Sequence, residues 1–186
     1  MGEPARKRLT IDDWLAYSDG TDTRYELVGG ELVAMASGST RHATIAQNAG
    51  SEIERAVGDR PPCRAVQGAG LEVEVDGDRR GYIADVAMTC EPPDEGLLFR
   101  EPRLIVEVLS PPTEGVDKHR KVPDYASLPS VEEIWLIDSR ARAVLVWRRV
   151  EGTWIGSLPY VREEAFNSPV LGVEVALDRL YRNTGL

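Results

Sequence analysis

Leu104-Ile105-Val106-Glu107-Val108-Leu109 is the most strand-like run in the chain, and it carries one acid near its centre. Apolar, β-branched runs of this length read as strands buried on both faces, which belong inside a helix-covered sheet. Tyr82-Ile83-Ala84-Asp85-Val86-Ala87-Met88 repeats the pattern with a lone aspartate. Desolvating an ionised acid without a partner costs several kcal/mol. Two such acids on neighbouring strands would share that cost by jointly holding a divalent cation. Asp85 and Glu107 are hard oxygen donors, suited to Mg²⁺ or Mn²⁺ rather than zinc.

Working outward, Ser110-Pro111-Pro112 ends the Glu107 strand, and a helix is expected from about Val116 or Asp117 to Ser127, distorted near Pro123. Asp117, Lys121 and Tyr125 then fall at four-residue spacing on one face. Glu133–Asp138, Ala143–Arg149 and Thr153–Val161 read as three further strands, and residues 170–186 as a short strand and helix. Upstream, Leu71-Glu72-Val73-Glu74-Val75 alternates, and Asp76-Gly77-Asp78 turns it into the Asp85 strand. Tyr25-Glu26-Leu27-Val28, Gly29-Gly30 and Glu31-Leu32-Val33-Ala34 form a hairpin signal, because both turn positions tolerate positive φ. Thr40 to Val57 is an amphipathic helix with Ile45, Ala49, Ile53 and Val57 on one stripe. Thr10 caps a first helix, with Asp13 three residues on, that is expected to end near Ser18-Asp19-Gly20. Strands grouped around helices in this order imply an α/β or α+β domain with a mixed central sheet, an N-terminal helix and a hairpin. Residues 1–8 read as a flexible N-terminus and 9–186 as a single domain.

The 186 residues are 42% hydrophobic and 28% charged, enough for one real core. No stretch approaches the roughly 20 apolar residues that span a bilayer, and the N-terminus lacks the apolar core of an export signal. Cys63 and Cys90 stand alone without CxxC spacing, so they read as reduced packing residues of a cytoplasmic protein. The net charge of −9 has the wrong sign for nonspecific coating of nucleic acid.

No phosphate-cradling GxxxxGK loop, GxSxG elbow or HExxH pair is present, and His42 and His119 lie far apart. What remains are oxygen ligands followed by a basic helix. A lysine on the Asp117/Lys121/Tyr125 face would reach back over the strand end to orient water or steady charge on a phosphoryl oxygen.

With these residues the chain resembles the Uma-type restriction endonucleases, within the PD-(D/E)XK nuclease superfamily. The resemblance is carried by RYELVGGELVAM (24–35), RHATIAQNAGSEI (41–53), YIADVAM (82–88), PRLIVEVLSPPTEGVDKHRKVPDYASLPSVEEIWLIDS (102–139) and SPVLGVEVALDRLY (168–181). It implies a restriction-endonuclease-like fold and a Mg²⁺- or Mn²⁺-dependent endonuclease acting on DNA. Asp85 and Glu107 match the family's metal ligands. The superfamily lysine two residues after the Glu is Leu109 here, and the following helix supplies Lys121 instead. Glu26, Glu31 and His42 match recurrent positions, with Glu31 placed ahead of Glu26 as a third active-site acid. The proline that usually precedes the catalytic aspartate is Ala84.

Plainer readings stand beside these. Asp85 and Glu107 are alternatively strand-end acids paired with arginines such as Arg80 or Arg103, and Lys121 a helix lysine paired with Asp117 or Asp124. His42 reads as part of a polar network, and Trp135, Trp147 and Trp154 as packing. Arg100, Arg103, Lys118, Arg120 and Lys121 form a candidate phosphate patch. A homodimer would cover strand edges and contact duplex DNA symmetrically. The alternatives to an endonuclease are a catalytically inactive nuclease fold that binds nucleic acid or protein, and a hydrolase of another phosphate ester.

Overall fold

The computed structural model describes residues 8–111, 114–162 and 164–186. The chain forms α1 (Ile11–Leu15), β1 (Tyr25–Val28), β2 (Glu31–Ala34), α2 (Thr40–Val57), β3 (Arg64–Val75), β4 (Asp78–Thr89) and β5 (Leu104–Leu109). A helical segment follows: α3 (Glu114–Val116), a π-helical stretch over Asp117–Lys121, and α4 (Val122–Ser127). Then come β6 (Glu133–Asp138), β7 (Ala143–Val150), β8 (Thr153–Gly156), β9 (Tyr160–Val161), β10 (Ala165–Ser168), β11 (Val173–Ala176) and α5 (Leu177–Leu180).

Among the described residues, nine strands form one mixed sheet in the order β2-β1-β4-β5-β6-β7-β8, with β3 also on β4 and β9 also on β7. All six residues of β5 are buried, as a double-faced central strand requires. β5 runs parallel to β6 and antiparallel to β4. Leu104, Val106 and Val108 join Ile45, Ala49 and Ile53 of α2 in one core layer. Ile105 and Leu109 join Val122 and Tyr125 of the α4 segment in the other. The alternation of β5 thus divides the helices between the two faces.

Local chemistry explains the elements. Gly29 and Gly30 turn the β1–β2 hairpin at φ +61° and +76°. The Ser39 hydroxyl accepts the His42 N–H at 3.2 Å and caps α2. Pro123 lacks an N–H, and its ring would collide with the carbonyl four residues back in a regular helix. The π stretch just before it widens that turn, and the Val122 N–H reaches back to the Asp117 carbonyl instead. Asp117, Lys121 and Tyr125 nevertheless share the buried face.

Several expectations need correction. α1 stops at Leu15 rather than near Gly20, because the Asp19 carboxylate accepts the Thr21 N–H and the Tyr25 hydroxyl and holds a turn there. The span expected as one strand over Thr153–Val161 is two, interrupted where Pro159 lies. β10, which among the described residues pairs only with β11, adds a strand that the sequence pattern does not show. Cys63 and Cys90 form a disulfide rather than two free packing thiols. The β3–β4 hairpin is longer than the Leu71–Val75 alternation implies, and its register places Arg64 opposite Thr89, which sets the two cysteines side by side. The cysteines therefore no longer argue for a reducing compartment. The flexible stretch expected over residues 1–8 lies outside the described residues except for Arg8, which binds Asp78 at 2.6 Å. No helix among the described residues is long and apolar enough to cross a membrane.

Candidate active site

The site is a fork in the sheet. Along one edge of β4, β1 pairs at Leu27↔Gly81, whereas β5 pairs from Val86↔Val106 to Met88↔Leu104. Between these two ladders the backbone groups need other partners. The Glu26 carboxylate of β1 accepts the Ile83 N–H at 3.2 Å, and the Asp85 carboxylate of β4 accepts the Val108 N–H at 2.7 Å. Extending the β4–β5 register by one rung sets Asp85 opposite Glu107. Three acids from three strands thus gather where β1 and β5 part.

β4 also changes sides at this point. Val86 and Met88 pack in the α2 layer, whereas Tyr82 and Ala84 pack in the α4 layer although all four share parity. The β3–β4 register omits the Gly68–Asp85 rung, and Gly68 has φ +62°. A glycine in the left-handed region lets the ribbon break its alternation there and sends Asp85 into the opening.

Lys121 enters from the π-helical stretch. Its Nζ lies 2.8 Å from Glu26 Oε1, 3.3 Å from Glu107 Oε1 and 3.6 Å from Asp117 Oδ1. Tyr125, one turn later, donates its hydroxyl to Glu107 Oε1 at 2.6 Å. Lys121 and all three acids are less than a tenth exposed. Burial acts against the ammonium, but Glu107, then Glu26 and Asp117, outweigh it and hold the Lys121 pKa above its usual value. Burial pushes the Glu107 carboxyl up to about 8; Lys121 pulls it down, and the like charges of Asp85 and Asp117 push it up again. One ammonium among three buried carboxylates leaves the cluster short of positive charge.

Asp85, held at the fork by the Val108 N–H, also meets a side chain from the start of α2. His42 Nε2 is 3.2 Å from its Oδ2. This contact holds the imidazole pKa above its usual value, against the effect of burial. The pair lines a cleft of about 570 Å³ together with Arg24, Ser37, Gln67 and Gly68. Glu107 is therefore the sealed end of the site and Asp85 its open end.

Among the described residues no three His, Cys, Asp or Glu side chains converge to hold a metal ion. Asp85 and Glu107 on the two sides of the fork fit a hard cation that takes one or two carboxylates and fills its shell with water and phosphate oxygens. Such an ion would also relieve the like-charge repulsion that raises Glu107.

The residues singled out from the sequence separate cleanly. Glu107 and Lys121 meet at the fork at 3.3 Å, and Asp85 stands near enough to Glu107 for its charge to act on it. Glu31 does not join them: it is exposed beside the hairpin turn, opposite Val28. β1 runs antiparallel to β4, so the turn lies at the far end, and Glu26 occupies the position expected of Glu31. The arginines weighed as partners of the two acids are engaged elsewhere: Arg80 binds Asp124 and Asp78, and Arg103 binds Glu132. Asp117 is a partner of Lys121, as one plainer reading had it, whereas Asp124 instead ties Arg80 and the Tyr82 hydroxyl and clamps α4 to β4. Of the candidate phosphate patch, Arg100, Arg103 and Lys118 are held by Asp94, Glu132 and Glu114, and Lys121 is buried. Trp135 is core, and Trp154 lies under Arg149 with its indole N–H on the Ala126 carbonyl.

Comparison with known proteins agrees with this architecture. The chain is 26% identical over 178 residues to the uncharacterized protein slr1290 of Synechocystis sp. (strain ATCC 27184 / PCC 6803 / Kazusa), covering 94% of this chain and 92% of that one. It is 25% identical over 148 residues to the uncharacterized protein sll1609 of the same organism, covering 77% and 82%. The crystal structure of "a putative nuclease belonging to DUF820" from Anabaena variabilis ATCC 29413 superposes with a TM-score of 0.76 at 18% identity, over 93% of this chain and 97% of that one. That likeness shows the restriction-endonuclease-like fold. The Uma2 family model, described as "Putative restriction endonuclease", matches residues 11–178, and the chain belongs to that family.

Proposed function

We propose that this protein is a divalent-metal-dependent endonuclease that hydrolyses phosphodiester bonds of DNA, with residues 9–186 acting as one catalytic domain. The observation that carries the reading is the fork itself, where Asp85 and Glu107 flank a broken ladder and the Lys121 ammonium stands 3.3 Å from Glu107. Asp85 and Glu107 would hold Mg²⁺ or Mn²⁺, which supplies Lewis-acid polarisation of the phosphate and a lowered pKa for the attacking water. Water adds to phosphorus in line as the P–O bond to the leaving strand breaks, and the departing oxygen takes up a proton. Lys121 offers positive charge to the phosphoryl oxygens as negative charge builds there. Tyr125 fixes the Glu107 carboxylate by its 2.6 Å hydrogen bond, and His42 together with the Val108 N–H fixes Asp85. A bound ion would also bring its own charge to the phosphate, which a chain of net charge −9 otherwise repels.

Plasmid and single-stranded DNA incubated with the purified protein should be cut with Mg²⁺ or Mn²⁺ and left intact in chelator. Glu107→Ala should abolish cleavage; cleavage that survives it would not come from this site. A second reading, a nuclease fold retained for binding, is favoured by one observation: Lys121 already has three carboxylates within 3.6 Å. Calorimetry separates the two readings, because no uptake of Mg²⁺ or Mn²⁺ at millimolar concentration would leave only the binding role.

A further inference from the structure

Arg24 lines the same cleft as Asp85 and His42. It lies one residue before β1, at the end of the hairpin nearest Asp85, because β1 is antiparallel to β4 with Leu27 opposite Gly81. Its guanidinium rests on the backbone of β3 at Gly68. A Cβ added to Gly68 would sit 2.6 Å from Arg24 Nη1 and 3.5 Å from its Cζ. The residue that breaks the ladder beside Asp85 is thus also the residue that makes room for this arginine.

Arg24 is exposed and, like Arg120, Arg162 and Arg182, is not tied to an acid among the described residues; what sets it apart is its place in the cleft beside Asp85. Arg79, Arg80, Arg103, Arg140 and Arg142 are each held by a carboxylate. Among the described residues Arg24 makes no ion pair and no side-chain hydrogen bond, although the chain has an excess of acids. A guanidinium kept in place by a glycine and left without an acid offers its planar fork of donors to an anion from outside. Gln67, the neighbour of Gly68, lines the cleft as well, with its amide lying against Gly50 of α2.

We propose that Arg24, seated on Gly68, is a phosphate-binding residue that holds a backbone phosphodiester of the nucleic-acid strand in the cleft beside Asp85. This rests on the nuclease reading above and adds to it the side from which the strand enters. Arg24 is then a positioning residue: it fixes where the strand lies, and the chemistry stays with the groups at the fork.

The test uses fluorescein-labelled single- and double-stranded oligonucleotides, with anisotropy measured in Ca²⁺ and cleavage in Mn²⁺. Arg24→Ala should weaken binding about tenfold or more, the worth of one charge-assisted contact. It should also reduce the slope of log affinity against log salt by about 0.9 on duplex, raise KM and leave kcat nearly unchanged. Arg24→Lys should recover part of the affinity. Gly68→Ala, which displaces the arginine and also strains the turn that sets Asp85, should weaken binding at least as much and lower kcat as well, and adding Arg24→Ala to it should weaken binding little further. Binding by Arg24→Ala within twofold of wild type, or fully additive binding losses in the double variant measured in Ca²⁺, would overturn the proposal and leave the nuclease reading standing. Wild-type protein that neither binds nor cuts DNA would overturn both.

Discussion

Lys121→Met removes the one cation from a buried group of three acids while nearly keeping the volume of the side chain. Glu26, Glu107 and Asp117 are 7%, 3% and 3% exposed, so water cannot take over the role of the ammonium. Breaking a buried ion pair by removing one partner costs about 3–5 kcal/mol. For a chain of this size that lowers Tm by about 6–20 °C. The loss should depend on pH with a definite sign. Without Lys121 the Glu107 carboxyl loses the charge that pulls its pKa down and rises further above about 8, so above that pH the folded variant holds a proton that wild type has released and becomes relatively more stable as pH falls. One extra proton over two pH units returns about 2.7 kcal/mol. Urea titrations of wild type and variant, followed by circular dichroism at pH 9.5 and 7.5, should therefore show the gap shrinking by up to that amount at the lower pH. A loss below about 1 kcal/mol that is the same at both pH values would refute the idea that Lys121 compensates these carboxylates.

Further expectations follow from the same geometry. Glu107 has a folded pKa of about 8 against an ordinary 4.5, so the wild type should lose stability as pH rises through that window; Glu107→Gln should flatten this fall in a pH series of denaturation midpoints. Asp124→Ala strips Arg80 and the Tyr82 hydroxyl of their shared acid and should cost about 3 kcal/mol. It should also slow cleavage, because α4 follows directly on Lys121; unchanged stability would remove Asp124 from the clamp. The Cys63–Cys90 bond closes a loop spanning a sequence separation of 27, worth up to about 3.5 kcal/mol by chain entropy. Protein denatured without reductant should show no free thiol, and reductant should lower its melting temperature.

Much of the fold was legible because periodicity reports burial directly. The β5 run, the Gly-Gly hairpin and the Thr40–Val57 helix each carry their signal within a few residues. The boundaries that moved were decided by contacts distant in sequence or by local side-chain capture. Cys63 meets Cys90 only because β3 extends back to Arg64, a stretch whose small and polar residues show no alternation. α1 is cut short by Asp19, whose carboxylate competes for the backbone just beyond it.

The candidate site divides along the same line. Asp85 and Glu107 stand out in the sequence because an acid in an apolar strand has no inexpensive explanation, and the i, i+4 spacing of Asp117, Lys121 and Tyr125 announces a shared face. Which early acid completes the group was not available locally: Glu26 and Glu31 lie on the same face of one hairpin and carry equal chemical credentials. Pairing of β1 with β4 at Leu27↔Gly81 decided between them by turning the Glu26 end toward the fork. Arg24 and Gly68 carry no signal at all until β1 and β3 are brought to the same side of Asp85. The sequence by itself determined which residues would have to be buried and which charges would then need partners, since hydrophobic patterning and desolvation act residue by residue. Only the tertiary structure decided which partners they find, because strand order and register bring together groups that the chain keeps tens of residues apart.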